Sequence, residues 1–84
     1  NKAMEHLEAG RPRAAIPLLE SSMRLDPAVG TRLNLALGYE QLGKLGRAYR
    51  HYRITQRVDL ENGNIARAEI ARTKAEQIFP LLGR

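Results

Sequence analysis

The chain repeats itself at a spacing of 33 residues, and this period constrains its fold more than any other property. Gly10, Ala15, Leu19 and Asp26 return as Gly43, Ala48, Tyr52 and Asp59. Ala3 likewise answers to Ala36, Arg11 to Lys44, Arg24 to Arg57 and Leu25 to Val58. A period shared by small, turn-forming and apolar positions describes one supersecondary unit used twice. Such units bury their apolar faces against each other and leave an extended surface free. Function is therefore sought on that surface rather than in a catalytic pocket.

Local patterning reads as helical throughout. Ala3, Met4, Leu7 and Ala9 fall at helical spacing in residues 1–9, and Gly10 stops that helix. Pro12 suits the first turn of the next helix, where its missing N–H costs nothing. The second helix extends to about Leu25, with Ala15, Ile16, Leu18, Leu19, Ser22, Met23 and Leu25 as a broad apolar face. Pro17 lies past its first turn and removes one backbone hydrogen bond. Asp26 precedes Pro27 and is biased away from helix, which ends the element. After Ala28, Val29 and Gly30, Thr31 is the expected N-cap of a third helix carrying Leu33, Leu35, Ala36, Leu37, Tyr39, Glu40 and Leu42. A fourth runs from Leu45 or Gly46 to Val58 or Leu60, with Ala48, Tyr49, Tyr52, Thr55 and Val58 inward. Asn62, Gly63 and Asn64 break the pattern. A fifth helix, roughly 64–79, sets Ile65, Ala68, Ala71, Ala75, Ile78 and Phe79 against a charged side of Arg67, Glu69, Lys74 and Glu76. Pro80 closes it, and residues 81–84 trail off.

The run Asn34, Leu35, Ala36, Tyr39, Gly43, Ala48, Tyr52 resembles the tetratricopeptide repeat, whose helix pairs span about 34 residues. The first unit matches through Gly10, Ala15, Leu19 and the ending Leu25, Asp26, Pro27. The resemblance covers about residues 1–62, or the whole chain with a terminal capping helix. It implies an all-α, right-handed superhelix of antiparallel helix pairs with about five helices. The division would be a partial first repeat at 1–27, a second repeat at 28–61 and a capping helix at 62–82. Ala36 stands where the family often has glycine, Thr55 where a small residue is usual, and Leu60 where a proline closes the unit. The family binds extended peptides or partner helices in a concave groove. By resemblance that groove presents Leu33, Asn34, Leu37, Glu40 and Gln41, with Leu7 and Glu8 from the first unit. Asn34 matches the asparagine that bonds a peptide backbone in many members, a task suited to an amide that both donates and accepts. The variant that clamps a terminal carboxylate is not indicated: Asn64 and Ala68 stand where its basic residues belong.

Composition narrows the alternatives. Hydrophobic residues make up 43% of the chain and charged ones 27%, which suits an ordinary globular domain. No apolar run approaches the roughly 18 residues of a membrane span. The polar start, Asn1 to His6, lacks a signal-peptide core and reads as the beginning of a fragment. With no cysteine there is no disulfide or thiolate metal site. His6 and His51 have no companions at ligand spacing, and no phosphate loop or Ser–His–Asp arrangement is present, so neither catalysis nor a cofactor is expected.

The net charge of +5 raises the question of nucleic acid. Arg50, Arg53 and Arg57, flanked by Arg47 and His51, lie on the outward arc of the fourth helix. A solvated face is favoured over phosphate contact, since no aromatic residues interleave to stack bases. Tyr39, Tyr49 and Tyr52 are spaced as interface residues whose hydroxyls reach the edge for a partner. The sequence thus predicts a non-catalytic module that binds a protein or peptide partner through a concave helical groove. The alternatives are a basic helical module that binds nucleic acid through the arginine strip, or a structural, self-associating segment of a longer repeat protein. Self-association as a two-fold dimer is expected from a sticky edge at Met4, Leu7, Ile16 and Leu18. Arginine richness and residues 34–52 resemble bacterial repeat proteins, some of the envelope, which leaves the compartment open between cytoplasm and envelope.

Overall fold

A computed structural model describes residues 2–26 and 30–83. The chain is all-α. Its elements are α1 (Lys2–Glu8), α2 (Pro12–Leu25), α3 (Thr31–Gln41), α4 (Leu45–Glu61) and α5 (Ile65–Ile78), followed by a 3-10 turn at Phe79–Leu81. Pro12 opens α2 as expected, and α2 continues through Pro17 without interruption. Asn1, Pro27, Ala28, Val29 and Arg84 lie outside the described residues.

Three of the four junctions are the same object. Gly10, Gly43 and Gly63 adopt φ of 73°, 86° and 79°, a region that a side chain disfavours. At each, the glycine N–H bonds the carbonyl three residues back and the next residue bonds the carbonyl five back: Arg11 to His6, Lys44 to Tyr39 and Asn64 to Asp59, at 2.7–2.9 Å. This double closure satisfies the last carbonyls of the outgoing helix. The same residue's carbonyl then accepts the first bond of the next helix, from Ala15, Ala48 and Ala68. All three alanines are buried. A glycine followed five residues later by a buried alanine therefore occurs three times, twice at the 33-residue period and once 20 residues further on. The third copy was not apparent from the period.

Each helix packs on the one that follows it, and α1 also touches α3. Direction reverses each time. Tyr39 at the end of α3 stacks on His51 early in α4, and Tyr49 near the start of α4 meets Phe79 beyond the end of α5. The core runs through these contacts as Ala3, Leu7, Ala15, Ile16, Leu19, Leu35, Ala36, Tyr39, Ala48, Tyr52, Ala71, Ala75 and Ile78. Gly38 permits a close approach, because a Cβ there would stand 3.1 Å from Ile16 Cγ1 and 3.4 Å from Leu7 Cδ2.

Several inward assignments are corrected. Leu25, Val58, Ile65 and Phe79 are exposed, Leu25 by 87%. Apolar periodicity selected them, yet the stripe that meets a neighbour on α4 is Ala48, Tyr52, Thr55 and Asp59. Leu7 and Ile16 are buried, and Met4 is half-buried, so only Leu18 of the expected sticky edge is open. The cap of α3 is Gly30, with φ of 43°, and Thr31 is the first residue of the helix and buried. Leu82 packs against the core instead of trailing off.

Candidate partner-binding groove

Leu33, Asn34, Leu37, Glu40 and Gln41 share one face of α3, as their spacing requires. Their circumstances differ. Leu33 and Asn34 line an open cleft of about 680 Å³, together with Lys2 and Ala3 from α1, Leu18, Leu19 and Ser22 from α2, and Arg67 from α5. Both are half-exposed, and the Asn34 amide bonds no described side chain or carbonyl. Leu37 is half-exposed and leans on the core.

The other two are engaged within the chain. Glu40 accepts the Tyr52 hydroxyl at 2.7 Å and lies 4.0 Å from Lys74 Nζ. Gln41 Nε2 donates to the Leu7 carbonyl at 3.0 Å, a second bond to an oxygen that already accepts the Gly10 N–H at the end of α1. Leu7 is buried beneath this contact rather than presented in the groove, while Glu8 is exposed. The available part of the face is thus the line Leu33, Asn34, Leu37.

The tyrosine hydroxyls also serve the chain. Tyr39 donates to Glu20 at 2.7 Å, and Tyr49 accepts from Arg53 Nε at 3.0 Å. Burial, reinforced by the Glu40 carboxylate, pushes the Tyr52 phenol well above its ordinary value. Burial and Glu20 raise Tyr39 in the same sense.

Along the opposite side, Arg47, Arg50, Arg53 and Arg57 are exposed on α4. The Arg47 guanidinium lies 5.7 Å from the Tyr39 ring centre and that of Arg53 5.2 Å from Tyr49. The ion pairs among the described residues are Arg67–Asp59, Arg72 with Glu69 and Glu76, and Lys74–Glu40, so none of these four arginines is in an ion pair with a described carboxylate. His6 accepts from Arg11 Nε at 3.1 Å, far from any ligand set. No described helix is long and apolar enough to cross a membrane. Compared with models of protein families, with curated proteins and with solved structures, the chain matches none.

Proposed function

We propose that the chain is a tetratricopeptide-like interaction module that takes an extended peptide of a protein partner along α3. The turn geometry at Gly10 and Gly43, with small Ala15 and Ala48 after it, supports the repeat reading. The observation that carries the function is the half-exposed line Leu33, Asn34, Leu37 beside the cleft. Two leucines offer apolar contact, and the unengaged amide between them offers a peptide group both a donor and an acceptor. Lys2 in the cleft lining favours acidic residues in the peptide.

A displayed random-peptide library selected on the 84-residue chain tests this. Selected peptides should lose roughly tenfold or more in affinity with Asn34→Ala, as expected for a backbone hydrogen bond, and should not bind Leu37→Glu. Circular dichroism should be unchanged for both. Peptides that bind Leu37→Glu at full strength would move the site off α3.

A further inference from the structure

We propose that the outer ridge of α4 is a second binding surface, one that holds single-stranded nucleic acid by its phosphates and bases without reading sequence. The charge of the molecule is concentrated there. Residues 43–58 contain five cations, Lys44, Arg47, Arg50, Arg53 and Arg57, and no carboxylate, while the remainder of the chain holds nine of each sign. The whole net charge of +5 therefore belongs to this one segment. Its four arginines rise along about 15 Å of helix.

A face selected for solubility alone has a different look, and α5 provides it. There Arg72 is bracketed by Glu69 and Glu76 at 2.8 and 3.0 Å, the spacing at which opposite charges support a helix. On α4 the same spacing places like charge beside like charge, which weakens the helix slightly. A field of one sign, left uncompensated, attracts polyanions.

The neighbouring rings indicate which polyanion. Tyr49 flanks the ridge, with the Arg53 guanidinium over its face. Phe79, brought in from beyond α5, lies 5.7 Å from the Tyr49 ring, tilted by 42°, and is 61% exposed. In the sequence Tyr49 lies among the arginines, and the α4–α5 hairpin adds Phe79 to it. Phosphate-binding cations beside an open ring form the combination used on single strands, where bases are free to stack. A duplex or an acidic peptide would use the arginines and leave Phe79 without a role.

Fluorescence anisotropy with a labelled oligothymidylate, beside a duplex of equal length, polyglutamate and vesicles of phosphatidylglycerol with phosphatidylcholine, tests the proposal. With four phosphate contacts, the oligonucleotide Kd should rise roughly fifty-fold between about 50 and 200 mM salt. Changing Arg50, Arg53 and Arg57 together to Gln should lower the logarithmic salt slope by about 2. Phe79→Ala should weaken oligothymidylate binding roughly tenfold and leave the duplex and polyglutamate unaffected. Leu37→Glu should bind the oligonucleotide as the parent does, which keeps this surface distinct from the groove. No binding at about 50 mM salt, or an unchanged slope in the triple variant, overturns the proposal. An equal loss for vesicles or polyglutamate on Phe79→Ala overturns it as well, and assigns the ridge to lipid or acidic protein.

Discussion

Helices α2 and α4 carry residues related by the 33-residue spacing, and they agree up to a point. Ala15 and Ala48 are both 0% exposed, and Leu19 and Tyr52, one turn on, are both buried. Beyond that the helices diverge. Asp26 at the end of α2 is exposed, whereas Asp59, its counterpart 33 residues later, is buried. Asp59 accepts from Asn64 Nδ2 at 3.3 Å and from Arg67 Nε at 3.0 Å. The cause is stacking order. Helix α2 packs against α1 and α3, while α4 lies between α3 and a long α5. A polar atom covered on two sides must find its partners in protein. Helix α5 supplies them, Arg67 to Asp59 and Lys74 to Glu40. The repeat spacing specifies small-residue contacts, and the additional helix specifies polar ones.

Asp59→Ala is the severest test of that distinction. It leaves Arg67 and Asn64 without their acceptor, and hydrogen bonds to a charged group are worth about 1.5–3 kcal/mol. Arg67 is 31% exposed, so solvent screening places the loss in the lower part of that range. Urea denaturation checks it, and Arg67→Gln in a double-mutant cycle isolates the pair. A variant as stable as the parent would show that α5 packs on α4 through its alanines alone, and the contrast between α2 and α4 would disappear.

The complementary test sharpens the likeness. Ala15→Leu and Ala48→Leu each force three extra carbons into a fully buried contact, at a cost of about 1–3 kcal/mol. Equal falls in melting temperature are expected. A tolerated Ala15→Leu beside a damaging Ala48→Leu would mean that α1, only 7 residues long, shifts to accommodate the side chain.

Much of this was legible in the sequence, and the omissions have physical causes. Five helices and their breaks followed from glycine, proline and apolar spacing. The third turn, Gly63 and Ala68, carries the same signal as the other two, but it falls outside the 33-residue frame that organised the reading. Leu25, Val58, Ile65 and Phe79 satisfied helical periodicity, yet burial depends on a neighbour's presence at that height. Gly38 offered no local signal, since its value lies in two side chains from other helices. On α3, Leu33, Asn34 and Leu37 share one face, as helical spacing alone dictates. The engagement of Glu40 and Gln41 was hidden because their partners, Tyr52 and the Leu7 carbonyl, are 12 and 34 residues away.

The smallest expected effect concerns His51, whose counterpart 33 residues earlier is the exposed Leu18. His51 stacks on Tyr39 at 5.5 Å and 14°, and its Nδ1 is buried with no hydrogen-bond partner. The charges facing it are Arg32 from α3, Arg50 and Arg47 from its own helix, and Glu20 from α2. Burial first, then Arg32 and Arg50, push the imidazole below its ordinary value of 6.5, against a weaker pull from Glu20. In the unfolded chain the ring takes a proton near that value, while the folded chain resists it. The unfolded state then binds more protons, so folding weakens as pH falls below about 6.5 and gains nothing from this group above it. His51→Phe preserves a flat ring on Tyr39 and removes the titration. Urea midpoints measured at pH 7.5 and 5.5 should fall further for the parent than for the variant. Parallel falls would assign the acid sensitivity to the carboxylates, and leave α4 no more responsive to protons than α2.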